Sequence, residues 1–169
     1  MIQSFQNIFK VKDLRDRVLF TFFILAVERI GTHIVTPGVN PVILEQAMGQ
    51  MAGTLVSIYD LFAGGAFTKA AIFGLGIMPY ISASIIIQLL GAVVPYFQKL
   101  QKEGEEGRKK ITQYTRYGTL AISLANAFGV AIFLESIDAN GISPVINPGW
   151  GFRFITMIAM ASGVMLIMW

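Results

Sequence analysis

The residues that could carry chemistry in this chain are few and scattered. His33 is the only histidine, and the sequence contains no cysteine. No second metal ligand accompanies His33 at a usable spacing, and no Ser/His/Asp set or pair of intramembrane carboxylates is present. The sequence therefore predicts no enzyme activity, no catalytic residue, and no metal or cofactor site.

A glycine-containing basic stretch at residues 104–110 is the one segment that could suggest nucleotide binding. It lacks the spacing and the Ser/Thr of a phosphate-binding loop, so this function is rejected. Its positive charges are typical of a solvated loop that fixes membrane topology. They could also contact a cytoplasmic partner, through Arg108, Lys109 and Lys110.

Three charged residues lie inside or beside apolar segments. Ionisable groups in a membrane span point to function by default. For Glu28 and Arg29 we expect a local ion pair near the external end of the first apolar segment. For Arg153, at the start of the last one, we expect the side chain to extend towards the membrane interface.

The composition indicates that lipid is the solvent for much of the surface. Hydrophobic residues make up 54% of the 169 residues, charged residues make up 14%, and mean hydropathy is +0.64. Soluble domains carry roughly 25% charged residues. We predict an all-α polytopic membrane protein, a transmembrane helix bundle with a short re-entrant helix.

Four apolar segments are candidate transmembrane helices, at about 20 residues per span. They are residues 18–35, 70–94, 114–135 and 151–169, the last being incomplete. Between them we predict an N-terminal arm (1–17), an external loop (36–58), a short broken segment (59–69), a basic loop (95–113) and a second external loop (136–150). We expect the chain to be part of a longer protein.

Lysine and arginine residues alternate between the connections. They are concentrated in the N-terminal arm and in the 95–113 loop, whereas the 136–150 connection has none. The positive-inside bias therefore predicts that the N-terminus and the basic loop are cytoplasmic.

The second apolar region is interrupted in a way that an ordinary span is not. Gly64 and Gly65 weaken a helix in the 61–69 stretch, which is too short to cross the membrane. Irregular backbone at membrane depth needs shelter inside protein or beside a water-filled cavity. We expect a short re-entrant piece that enters from outside, followed by a long helix from about Ala70 with a kink at Pro79.

One face of that helix carries Ile77, Ile81, Ser84 and Gln88 at helical spacing. A face that changes from apolar to polar suits a constricted aqueous path, and it also suits a buried contact between helices. A broken helix also fits half of a secondary transporter, whose partner repeat would lie beyond residue 169. An intramembrane enzyme is disfavoured, because the catalytic groups are missing.

Long, ordered and correctly spaced motifs resemble the SecY family of protein-conducting channels over essentially the whole chain. Residues 72–90 (IFGLGIMPYISASIIIQLL) resemble its second transmembrane helix, and residues 103–118 (EGEEGRKKITQYTRYG) resemble the cytoplasmic loop that follows. Residues 61–66 look like the start of its plug. Residues 145–149 (VINPG) look like the external loop before the fourth helix.

The resemblance implies a channel subunit that passes unfolded secretory polypeptides across the cytoplasmic (inner) membrane and releases apolar segments into lipid. It implies a constriction ring containing Ile77 and Ile81, whose apolar side chains would resist ion leakage by dewetting. It implies a lateral gate with Ser82 and Gln88 as candidate polar residues. The plug residues would be Leu61, Phe62, Ala63, Gly64, Gly65, Ala66 and Phe67.

The partners follow from the same resemblance. They are SecE and SecG subunits, the SecA motor or the ribosome, a secretory polypeptide with its signal sequence, the lipid bilayer, and the remaining half of the SecY channel. Arg108, Lys109 and Lys110 would face the motor or the ribosome.

Overall fold

The computed structural model describes residues 12–50, 53, 55–137 and 141–168. Residues 1–11 of the predicted cytoplasmic arm and the last residue of the fourth apolar segment lie outside this part. The described residues form helices joined by turns and two isolated bridges, with no strand, which confirms the all-α fold. The helices are α1 (Lys12–Gly31), α2 (Pro41–Gln50), α3 (Leu55–Phe62), α4 (Met78–Val93), α5 (Pro95–Lys102), α6 (Glu105–Ser136) and α7 (Trp150–Met168).

Two described helices, α6 and α7, are each long and apolar enough to cross a membrane, and the bent pair of α4 and α5 could form a third span. With 32 residues, α6 is about 48 Å long, which exceeds the roughly 30 Å of a hydrocarbon core. Its first turns carry the basic residues 108–110. The helix therefore continues out of the predicted third span and into the basic region.

Small residues let α6 and α7 pack closely. On α6 the buried positions recur every four residues, at Thr115, Thr119, Ser123, Ala127 and Ala131. Small residues at this spacing allow close approach of helices in lipid. The hydroxyl groups are satisfied within the helix, since Thr119 Oγ1 donates to the Thr115 carbonyl at 2.7 Å and Ser123 Oγ donates to the Leu120 carbonyl at 2.9 Å.

The second apolar region becomes helical later than predicted. Residues 72–77 form turns, and α4 begins at Met78 rather than near Ala70. Pro79 lies in the first turn of α4, where its missing N–H is not needed. The predicted kink at Pro79 is therefore wrong. The proline starts the helix, because its ring would clash with a helical turn formed by the preceding residues.

The predicted basic loop is a helical hairpin. The axes of α4 and α5 differ by 99°, and the break falls at Val94, whose extended backbone is followed by Pro95. The chain then reverses at Gly104, which has a φ of +72°. Gly107 allows this reversal, since a Cβ there would collide with the Leu100 carbonyl.

An extended segment after α1 forms bridges to two other loops, at the end of the molecule opposite the α5–α6 hairpin. Val35 bridges to Ala71, and Val39 bridges to Val145. Around these bridges lies the larger apolar cluster, which joins α2, the end of α6 and the start of α7. The chain that precedes α4 is therefore fixed to the loops at residues 70–72.

Candidate functional site

The chain just before α4 packs against the middle of α7 and the last third of α6. Leu75, three residues before α4, packs with Ala127 of α6 and Met160 of α7. Ala127 is nine residues from the end of α6, and Met160 is ten residues from the start of α7. At 1.5 Å per residue these are depths of about 14 and 15 Å, close to half of a hydrocarbon core.

The region between this point and the loop ends of α6 and α7 contains irregular backbone. The chain runs through α3 and a turn at residues 63–69, with φ of +62° at Gly64 and +82° at Gly65. Phe67 stacks on Phe133 of α6 with ring centroids 6.2 Å apart. Phe67 of this segment thus packs against α6, whereas Leu61 and Gly64 are exposed.

The turn is held by Asp60, a residue that the sequence analysis did not single out. Its Oδ1 accepts hydrogen bonds from the backbone N–H groups of Phe67 and Thr68, both at 3.0 Å. Its Oδ2 accepts from the Thr68 hydroxyl at 3.0 Å. An aspartate a few residues before a double glycine could have signalled this role, since aspartate readily accepts bonds from nearby turn backbone.

All seven predicted plug residues fall in α3 and the following turn. Leu61 and Gly64 are exposed, whereas Ala66 and Phe67 are buried, and the side chain of Phe62 lies outside the described part. Gly76, one residue before Ile77, sits beside Ala63, since a Cβ on Gly76 would lie 3.8 Å from the Ala63 Cα. The turn therefore adjoins the start of α4.

Ile77 and Ile81 lie one helical turn apart on an open face of α4. Their side chains are 48% and 41% exposed, and the Ile81 N–H donates to the Ile77 carbonyl at 3.1 Å. Exposure alone does not single them out, because Ile85 and Leu89 on the same helix are also exposed. Their distinguishing feature is position, at mid-depth and directly after the turn.

The two candidate gate residues do not share a face. Ser82 and Gln88 are separated by six residues, which corresponds to about 120° around the helix. Gln88 Nε2 donates to Ser84 Oγ at 3.2 Å, on the same face as Ile77 and Ile81. Both candidates are exposed, but Ser82 points to a different side of α4.

The basic residues lie at the opposite end of the molecule from the turn. Arg108, Lys109 and Lys110 are exposed near the start of α6. Phe133, which contacts the turn, lies 25 residues further along the same helix, or about 38 Å. The two features are thus far enough apart to lie on opposite sides of a membrane.

The charged residues near the loop ends have different partners from those that we predicted. Glu28 and Arg29 do not form the expected ion pair. Arg29 Nη1 instead donates to the Gly64 carbonyl at 3.4 Å, and so reaches the turn. Arg153 does not extend freely towards the interface, because Glu135 accepts from its guanidinium at 2.7 and 2.9 Å.

A mostly apolar cavity of about 500 Å³ lies between α3 and α6. Val56, Tyr59 and Phe67 line one side, and Asn126, Val130 and Phe133 line the other. Tyr59 donates its hydroxyl to the Leu75 carbonyl at 3.4 Å. The turn and α3 are thus loosely packed against α6, which leaves space for them to shift.

Together these features define a class of protein. The chain is a polytopic α-helical membrane protein in which a short helix, α3, and an irregular turn lie beside the start of α4. Comparison with known proteins identifies the family to which the chain belongs. The SecY family model matches residues 71–169, more than half of the chain.

Three curated relatives are each named protein translocase subunit SecY. The Escherichia coli K12 protein is 46% identical over 158 residues, which cover 93% of this chain and 35% of that protein. The Pseudomonas aeruginosa protein is 44% identical over 159 residues, covering 94% and 35%. The Aquifex aeolicus protein is 38% identical over 171 residues, covering 100% and 40%. This chain belongs to the SecY family, and it spans between a third and two fifths of the length of these relatives.

Proposed function

We propose that this chain forms part of a protein-conducting channel, in which α3 and the 63–69 turn are the plug and Ile77 and Ile81 contribute to the constriction ring. The channel would pass unfolded secretory polypeptides across the cytoplasmic membrane and release apolar segments into it. The observation that carries the proposal is the start of α4 at mid-depth, where Leu75 packs with Ala127 and Met160.

A constriction at mid-depth needs apolar side chains that bind neither water nor substrate. Ile77 and Ile81 are apolar, and their side chains are partly exposed, with Ile77 lying beside Val164 and Ile167 of α7. A ring of such side chains excludes ions because a narrow apolar passage dewets. A transporter would instead be expected to place polar or charged binding groups at this depth.

The plug assignment is supported by where the irregular segment lies. The turn adjoins the start of α4 and packs against Phe133 near the end of α6. Two of its side-chain bonds to neighbouring elements are long, since the bond of Arg29 to the Gly64 carbonyl and that of Tyr59 to the Leu75 carbonyl are both 3.4 Å. A blocking segment that must leave the path needs such weak contacts.

We assign Ser82 and Gln88 to the lateral gate, with Gln88 towards the pore and Ser82 towards a neighbouring helix. Arg108, Lys109 and Lys110 would contact the SecA motor or the ribosome on the cytoplasmic side. The proposed topology is multi-pass, with the N-terminus in the cytoplasm. The further partners are SecE, SecG, a polypeptide with a signal sequence, and the rest of the SecY channel.

The ring is tested by ion flux through the idle channel. Ile77→Gly with Ile81→Gly in the full-length protein, assembled in lipid vesicles, should raise ion conductance at least about tenfold, because the apolar constriction is lost. The matched control is Ile85→Gly with Leu89→Gly, which has the same spacing and a similar cost in helix stability on the same helix. We expect the control to leave conductance unchanged.

Two results would count against the ring. Unchanged conductance in the Ile77 and Ile81 variant, with normal assembly, would remove these residues from the constriction. An equal rise in the control would mean that α4 leaks whenever it is weakened, so the effect would not be specific to the ring.

A further inference from the structure

The Asp60 carboxylate closes a loop of hydrogen bonds between α3 and the plug turn. It accepts from Phe67 N–H, Thr68 N–H and the Thr68 hydroxyl, all at 3.0 Å. The Asp60 carbonyl also accepts from Gly65 N–H at 3.0 Å. Both ends of the turn are therefore joined to one residue in the last turns of α3.

The turn is also held at its buried end, where Ala71 N–H donates to the Ala66 carbonyl and Ala70 N–H donates to the Phe67 carbonyl, both at 2.9 Å. A Cβ on Gly64 or Gly65 would find no atom within 4 Å, so their backbone is not packed against other elements. Phe67 packs its ring edge-on to Tyr59 of α3, with centroids 4.9 Å apart. The bonds within α3 and the turn are thus shorter than the 3.4 Å bonds that reach Arg29 and Leu75.

The segment ends at a fixed point. Both the backbone N–H and the hydroxyl of Thr36 donate to the Ala70 carbonyl, at 2.9 and 2.7 Å, and both residues are buried. Ala70 has a φ of +43°, which is unfavourable for a residue with a Cβ and persists only where the surroundings impose it. Lys69, which is exposed, separates this anchor from the bonded turn.

We infer that Asp60 is the positioning residue that makes the plug one body, residues 55–68, which moves as a folded unit about Lys69 and Ala70. This inference rests on the proposed function, because it assigns a mode of movement to the proposed plug. Opening would break the longer bonds to Arg29 and Leu75 and the bond from Ala71 N–H to the Ala66 carbonyl, which crosses the pivot, and would keep the bonds to Asp60. The alternative mode is unfolding of the turn while α3 stays in place.

Hydrogen exchange at the Phe67 and Thr68 amides distinguishes the two modes. It is measured at single-amide resolution in the full-length protein in lipid vesicles, with the channel idle and with a stalled secretory polypeptide engaged. We expect both amides to stay protected in both states. Loss of protection on engagement in the wild-type protein would overturn the inference.

Substitutions separate the role of the carboxylate from general destabilisation. Asp60→Ala should speed exchange of both amides about tenfold or more in the idle channel, because two acceptor bonds disappear. Asp60→Asn should stay close to the wild-type rate, since its amide oxygen accepts from both N–H groups. Thr68→Val, which keeps both amide bonds, should also have a small effect. Equal rates in Asp60→Ala and the wild-type protein would contradict the inference.

Deletion of residues 63–67 tests the plug assignment separately from the inference about Asp60. If the deletion leaves ion flux through the idle channel unchanged, the plug assignment is wrong, whatever the exchange rates show. If the deletion raises flux while Asp60→Ala leaves the exchange rates unchanged, the plug stands and the inference about Asp60 is wrong.

Discussion

The α6–α7 pair and the proposed plug pack against each other but are held together by different forces. The helix pair buries small side chains at four-residue spacing, so that Ala127 and Met160 are fully buried. The plug rests on the Asp60 hydrogen bonds and a few aromatic contacts, beside a cavity of about 500 Å³. Close packing resists displacement, whereas a small set of polar bonds can be broken and reformed.

We therefore treat α6 and α7 as the scaffold, and α3 with the 63–69 turn as the movable part. The scaffold sets the depth at which α4 begins, because Ile72, just before α4, passes directly over Gly163 of α7. The proposed plug is anchored at its C-terminal end, where the buried Ala70 carbonyl accepts from Thr36, and its tip at Gly64 and Gly65 is not packed against other elements. The account therefore predicts that scaffold substitutions cost stability, whereas plug substitutions change gating and leave the fold intact.

The largest effect on stability is expected at Gly163. A Cβ there would collide with the backbone carbonyl of Ile72, which cannot rotate away as a side chain could. Gly163→Val should lower the free energy of unfolding by about 3 kcal/mol, measured on the full-length protein in lipid or detergent. The matched control is Gly129→Val on α6, where an added Cβ has no neighbour within 4 Å. Equal losses in both variants would mean that the close crossing at Gly163 is not structural.

A smaller effect is expected at the ion pair that joins the end of α6 to α7. Glu135 is 11% exposed and accepts from Gly149 N–H as well as from Arg153. Glu135→Ala should lower the free energy of unfolding by about 2 kcal/mol, and Glu135→Gln should cost less because its carbonyl can keep the Gly149 bond. The control is Asp16→Ala, whose partner Arg15 lies 3.4 Å away on an exposed helix. An exposed pair of this kind contributes at most about 1 kcal/mol, so a loss as large as that of Glu135→Ala would contradict the account.

The architecture was largely predictable from sequence, because it follows from the hydropathy pattern and from the glycines and prolines that interrupt it. The apolar segments and the double glycine predicted an all-α membrane fold with a break before the second long helix. The start of that helix was misplaced, because Pro79 fits either a kink or a first turn. Only the packing of residues 70–75 against α7 and the loops determines which of these forms.

The candidate site was less predictable, because it depends on contacts between distant residues. Ile77 and Gln88 could be placed on one face by helical spacing alone. The pairing of Thr36 with Ala70 could not, since 34 residues separate them and their bond forms between two irregular segments. Arg153 was misjudged for the same reason, because the loop that brings it to Glu135 has no regular pattern.

The central claim is that the plug lies against α6 in the idle channel and leaves it when a polypeptide passes. The pair Phe67→Cys with Phe133→Cys tests it directly with a short bifunctional crosslinker, since the chain has no cysteine of its own. The control pair is Phe67→Cys with Ile132→Cys, whose exposed side chain is on another face of α6. We predict crosslinking of the first pair in the idle channel, much less with a stalled secretory polypeptide engaged, and little of the control pair in either state. Equal crosslinking of the first pair in both states would contradict the account.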